Sequence, residues 1–119
     1  MPKTDTITRD RNVVEHIILY CEQLSETLQE INFDQKHFLS SHTYQNAVAM
    51  CILQIGELVK QLSDGFVKEY PGIPWKMMAR TRDQYAHHYG DMDFSMLWDT
   101  ATQDIPAVHS YCKQILSHI

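Results

Sequence analysis

The chain has 119 residues, 44% of them hydrophobic and 21% charged, which is enough to bury one core and too little for two. Four Gly and four Pro leave too few breaks for an all-β sandwich or barrel. Ten Lys and Arg against fifteen Asp and Glu give a net charge of −5, so the molecule as a whole repels polyanions and any nucleic-acid role must rest on a local patch.

Residues 1–7 are polar and read as a frayed end, and the opening MPKTDTITRDR has no apolar stretch of the kind a secretory signal needs. From about Thr8 to Glu30, Val13, Ile17, Cys21, Leu24 and Leu28 recur at spacings of three and four, which predicts one long amphipathic helix. Residues 32–40 hold the turn and cap formers Asn32, Asp34 and Ser40 between Phe33 and Phe38, two aromatics expected to plug the bundle end. A second helix is predicted over 41–62 from the stripe Tyr44, Val48, Cys51, Ile55, Leu58 and Leu62.

Ser63-Asp64-Gly65 interrupts that pattern, FVKEY suits a short helical turn, and Pro71-Gly72-Ile73-Pro74 forces a loop before a third main helix over 74–88. Gly90 is expected to close it, and Asp93 to cap a last helix over 94–117. Pro106 should kink that helix near Thr102 unless Asp104 starts a fresh helical turn. The result is a single all-α domain over 1–119, an antiparallel four-helix up-down bundle with a short extra helix. Cys21, Cys51 and Cys112 are odd in number, lack CxxC spacing and sit among apolar neighbours, so they read as core residues in a reducing cytoplasm. The apolar runs around Ile17 and Val48 are far too short to cross a membrane.

The densest polar segment is RTRDQYAHHYGDMD, residues 80–93, with two Arg, two His, three Asp and two Tyr in fourteen positions. Residues 75–89 carry Lys76, Arg80 and Arg82 against Asp83, a positive island in an acidic chain. Arg82 and His87 are five apart, about 140° around an ideal helix, so the arginine's long arm or a second subunit must close the gap. Asp83 and His87 are four apart and face each other, which suits a carboxylate that orients an imidazole and favours its charged form. The same spacing also suits a plain salt bridge at a helix end, with His87 answering the macrodipole.

His87, His88, Asp91 and Asp93 lack the spacing of a metal site, and no metal or other cofactor is expected. His16, His37, His42, His109 and His118 are scattered and read as surface or packing residues. Trp75, Met77 and Met78 suit core or dimer packing better than a partner-binding face.

The run ARTRDQYAHHYG, with Arg82, His87 and Tyr89 in the order R-x4-H-x-Y, resembles the HepT-like toxins of the HEPN superfamily of all-α ribonucleases. Asp83 matches the polar residue often found after that arginine. Gln54-Ile55-Gly56-Glu57, Tyr70-Pro71 with Ile73-Pro74-Trp75, and Trp98 with Asp104-Ile105-Pro106 are also similar to the family, so the resemblance spans about residues 10–116. His88 departs from it, standing where many members have Gly.

The resemblance implies a homodimeric, metal-independent RNA endonuclease, the toxin of a type II-like toxin–antitoxin pair, with a small MNT-type nucleotidyltransferase as antitoxin. Arg82, His87 and Asp83 are its expected catalytic residues, and Tyr89 the hydroxyl to which the partner attaches AMP. Residue chemistry agrees: His87 can move a proton near pH 7, and Arg82 offers a planar fork to phosphate oxygens. A non-catalytic helical subunit that binds and regulates a nucleotidyltransferase is the alternative, and the negative net charge leans toward it.

Overall fold

The computed structural model describes residues 3–119. Helix α1 (Lys3–Gln29) starts before the expected Thr8, so the polar segment through residue 7 is helical from Lys3 onward, and Met1 and Pro2 lie outside the described residues. Val14, Ile17, Cys21, Leu24 and Leu28 are buried along α1, as the spacing of three and four requires of a helix that packs on one face. Two residues in left-handed backbone conformation end it, Asn32 (φ 56°) and Phe33 (φ 53°), with the Phe33 N–H donating to the Leu28 carbonyl at 2.9 Å. Asn accepts that geometry readily, whereas for a bulky Phe it is a strained position.

The segment expected to be a plain turn contains a short helix, α2 (Gln35–Leu39), whose first turn is capped by Asp34 accepting from the Lys36 N–H at 3.0 Å. Of the two aromatics expected to plug the bundle end, only Phe38 does so, fully buried against Trp98 with ring centroids 5.3 Å apart. Phe33 is exposed, because the left-handed turn carries it past the core. Buried Gln45 bonds the end of α2, its amide donating to the carbonyls of Phe38 (3.0 Å) and Leu39 (3.1 Å). A buried amide that makes two hydrogen bonds to helix-end carbonyls offsets its own desolvation.

Helix α3 (His42–Val59) packs along α1 and buries Val48, Ala49, Ile52, Ile55, Gly56 and Val59. The predicted FVKEY turn is α4 (Asp64–Glu69), capped by Ser63. Ser63 also holds α1, donating from its N–H and Oγ to the buried Asp10 carboxylate at 2.9 and 2.6 Å. In the following loop, the Gly72 N–H donates to Tyr111 Oη at 3.0 Å and Trp75 Nε1 donates to the Tyr70 carbonyl at 2.7 Å.

Helix α5 (Trp75–His87) packs on α3; Trp75 is its one fully buried residue, and Met78, Ala79 and Tyr85 pack partly buried against the core. It ends at His87 and passes into a 3-10 turn, Tyr89–Asp91. Gly90 does not close the helix through a left-handed turn, as no described glycine has positive φ. Asp93 caps α6 (Phe94–Asp99) as expected, accepting from Ser95 and Met96. The expected kink at Pro106 takes the form of a π-turn, Thr100–Asp104, followed by α7 (Ile105–Leu116) with Pro106 in its first turn. There the Ile105 N–H reaches back five residues to the Thr100 carbonyl. The wider turn leaves room for the proline ring, which has no N–H of its own to donate. Among the described residues there is no strand, and no helix is long and apolar enough to cross a membrane.

All three cysteines are buried, and burial pushes the thiols of Cys21 and Cys112 up to about 12 and raises that of Cys51. A thiol-specific chromogenic reagent at pH 8 is therefore expected to modify none of them rapidly in the native protein and all three once denaturant is added. A fast-reacting native thiol would contradict this packing.

Candidate active site

The polar residues of α5 are positioned by one close helix contact. A Cβ placed on Gly56 of α3 would lie 2.3 Å from Arg82 Cβ, 2.8 Å from Arg82 Cγ and 3.3 Å from the Met78 carbonyl oxygen. Only a residue without a side chain lets α5 lie this close, and the contact sets the Arg82 stem directly on the α3 backbone. Next to Gly56, Glu57 places its Oε2 3.2 Å from Arg82 Nε. Both atoms are buried, and their alignment does not make a hydrogen bond, so the pair is held by charge attraction.

One turn further along α3, Lys60 completes an alternating set of charges. Its Nζ lies 2.5 Å from Asp83 Oδ1 and 3.7 Å from Glu57 Oε2, and Arg82 Nη1 donates to the same Asp83 oxygen at 3.3 Å. Two cations and two carboxylates therefore share one junction between α3 and α5. Arg82 is anchored through Nε and Nη1, and its Nη2 has no protein partner among the described residues. A guanidinium fixed along one edge offers the remaining N–H groups in a set direction, a geometry suited to phosphate oxygens.

Asp83 does not meet His87 as the four-residue spacing predicted. Its carboxylate is engaged by Lys60 and Arg82, and among the described residues neither hydrogen bond nor ion pair joins it to His87. Lys60 outcompetes the imidazole because a compact, permanently charged ammonium reaches the carboxylate from the neighbouring helix. The hydrogen bond from Lys60, with lesser help from its charge and from Arg82, holds the Asp83 carboxyl below its ordinary 3.8. His87 is exposed in the last turn of α5, and His88 closes the helix with its N–H on the Gln84 carbonyl at 3.0 Å.

Tyr89 stands seven residues after Arg82, a spacing that would put both on one face of a continuous helix, but it lies beyond the end of α5, and its hydroxyl donates to Asn46 Oδ1 on α3. The ring is partly exposed, which leaves the phenol within reach of solvent. Among the described residues no three His, Cys, Asp or Glu side chains gather as metal ligands, and Asp93 is occupied as a helix cap.

Glu57, Lys60 and Asn46 belong to this site, yet sequence reasoning did not single them out as site residues. The available signal was Gly56-Glu57 on the second predicted helix; what makes it part of the site is the α3–α5 contact, which joins positions 26 residues apart.

The packing and the charges can each be tested. Gly56→Ala is expected to lower stability by about 1–3 kcal/mol, the usual cost of overpacking, measured by urea denaturation. By NMR titration the Asp83 carboxyl is expected to titrate below 3.8, and Lys60→Met to move it back toward that value. The sign follows from linkage: a carboxyl with a depressed native pKa stabilises the fold above the ordinary carboxylate range, and that contribution is lost as pH falls through its native value.

A family model described as HepT-like, Ribonuclease HepT-like, matches residues 17–115. A protein of Methanocaldococcus jannaschii named "Putative RNase MJ0127" is 31% identical over 119 residues, covering 100% of this chain and 93% of the relative. "Putative RNase TTE0752" of Caldanaerobacter subterraneus subsp. tengcongensis is 32% identical over 106 residues, 89% of this chain and 93% of the relative. "Probable ribonuclease HepT" of Thermococcus cleftensis is 36% identical over 98 residues, 82% of this chain and 87% of the relative. No solved structure matches the chain significantly.

Proposed function

The chain belongs to the HepT-like ribonuclease family, and from that premise we propose that it is a metal-independent RNA endonuclease, the toxin of a toxin–antitoxin pair. The observation that carries the reading is the anchored Arg82, its Nη2 edge open, on the helix that ends in an exposed His87. Cleavage requires the ribose 2′-oxygen to bond to phosphorus while the bond to the 5′-oxygen breaks. A base takes the 2′-hydroxyl proton, an acid protonates the departing oxygen, and a cation stabilises the crowded phosphorane. Arg82 supplies the cation and His87 one of the proton-transfer groups. The other is His87 of a second copy, so the working unit is a homodimer whose two α5 ends face one cleft. In this scheme Asp83 acts through Arg82, helping to hold the guanidinium, rather than through His87.

The antitoxin is a small MNT-type nucleotidyltransferase that attaches AMP to Tyr89. The Tyr89 hydroxyl must leave Asn46 to accept the nucleotide, and the added phosphate brings negative charge to the end of the helix that carries Arg82. Inhibition then follows from charge competition and blocked access without unfolding.

The net charge of −5 favours a second reading, a non-catalytic subunit that binds and regulates the nucleotidyltransferase. Purified protein incubated with RNA in EDTA separates the two. Cleavage that falls about 10²–10⁴-fold in His87→Ala and Arg82→Ala, each still folded, supports the ribonuclease; equal activity in the variants, or restoration only by Mg²⁺ or Mn²⁺, refutes the mechanism. For the partner, incubation with the cognate nucleotidyltransferase and ATP is expected to add mass in multiples of AMP, and Tyr89→Phe to abolish the gain. A gain that survives Tyr89→Phe removes this residue from the regulatory role.

A further inference from the structure

An open cleft of about 750 Å³ lies between α1 and the turn joining α3 to α4, lined by Arg9, Asn12, His16, Lys60, Gln61 and Ser63, among others. Cleavage at Arg82 and His87 draws on it only through Lys60, which also bonds Asp83 beside Arg82. The same Asp83 oxygen holds both cations, so Lys60 links the cleft to the charged junction.

Its lining has the character of a nucleic-acid contact. Arg9, Asn12 and His16 follow one another at three and four residues, one face of α1. Arg9 is exposed, and among the described residues no carboxylate lies within ion-pair distance of it. His16 is oriented by a 2.8 Å bond between its Nδ1 and the Asn12 carbonyl, which leaves Nε2 as its other polar atom. Asp10, beside Arg9, is turned inward and buried on Ser63, which fixes α1 against the turn and withdraws one carboxylate from the surface. Asp64 is the acidic residue that remains in the lining. Leu58, partly exposed, with the edges of the buried Val13 and Leu62, adds apolar surface against which a base can be placed out of water.

We propose that this cleft binds the single-stranded RNA next to the position being cut, with Arg9 and His16 on backbone phosphates and the apolar residues beneath a base. The proposal rests on the ribonuclease reading of the Arg82–His87 site and gives it a substrate class: unpaired RNA long enough to reach from Arg82 to α1. In a chain of net charge −5, such a local track supplies phosphate contacts that the whole-molecule field does not.

The test uses the full chain carrying His87→Ala, so that RNA is bound and not cut, with random-sequence single-stranded RNA of 4 and 12 nucleotides read by fluorescence anisotropy. The longer RNA is expected to bind tighter. Adding Arg9→Gln and His16→Gln should weaken the 12-mer about tenfold, leave the 4-mer unchanged and lower the slope of log affinity against log salt by about 0.7 for each phosphate no longer neutralised. In the cleaving protein the same two changes should raise KM for long RNA and leave kcat unaltered. Equal affinities of both variants for the 12-mer, an equal loss for both lengths, or binding of oligoglutamate in place of RNA overturns the cleft assignment. If the unsubstituted chain cleaves RNA while the length dependence survives both changes, only the cleft is refuted; if it cleaves no RNA, both readings fall. Because Arg9 and His16 are exposed, unchanged thermal melting is expected for both variants.

Discussion

The site depends on the distance at which α5 crosses α3, and that distance is set by the missing side chain of Gly56. With any Cβ there, α5 would have to move outward or the Arg82 stem would have to bend away from Glu57. Helix packing distances normally follow the bulk of the interdigitating side chains. Here a single position of zero bulk brings a long, flexible arginine against a rigid backbone. Arg82 Nε and Glu57 Oε2 are consequently buried where α5 meets α3, even though both side chains are partly exposed. The charges also constrain one another: separating Arg82 from Glu57 would leave the buried Glu57 Oε2 with Lys60, at 3.7 Å, as its counter-charge.

The charged junction gives α5 an unusual division of labour. Trp75 at its start is fixed in the core by Phe66, Tyr111 and the Tyr70 carbonyl. Its middle is held by polar contacts to α3, and its end, with His87 and His88, is exposed. The helix is thus anchored at one end by apolar burial and opens toward solvent at the end that bears ionisable groups. A site arranged this way keeps its cationic part rigid while its histidine is accessible to a substrate or a second copy of the chain.

Much of the fold was legible from spacing. The stripes through Cys21 and Cys51 marked the core faces of the two long helices because a buried face repeats every three or four residues and these helices are long enough to show it. Helix α2, at five residues, is too short to display a period, and its existence depends on Asp34 and on the Gln45 amide, which comes from another helix. The site was legible in its residue types and not in its pairings. Reading along one helix gave Asp83 to His87, four positions on; the folded chain gives it to Lys60, 23 positions back. Partners within a helix follow from arithmetic, whereas partners between helices follow from where Gly56 lets them meet. Tyr89 shows the same limit, since its face could be inferred only for a helix that in fact ends at His87.

The π-turn before α7 sets how this fold tolerates changes in chain length. Leu97, Ala101 and Ile105 are all buried, four apart, and in an unbroken α-helix such a series would drift around the axis by about 40° at each step. The wider turn over Thr100–Asp104 absorbs the extra residue and returns Val108, Cys112 and Ile115 to the core. Deleting one residue between 100 and 104 would restore ordinary helical winding and leave every later position on its present face, whereas inserting one more and winding it as α-helix would turn every later position by about 100°. The Cys112 face would then turn away from α1, and Tyr111 would lose its bond to Gly72 in the loop that leads into α5. A one-residue insertion far from Arg82 would therefore disturb the approach of the helix that carries it, whereas substitutions at the exposed positions Gln103 and Asp104 would leave the helical register intact.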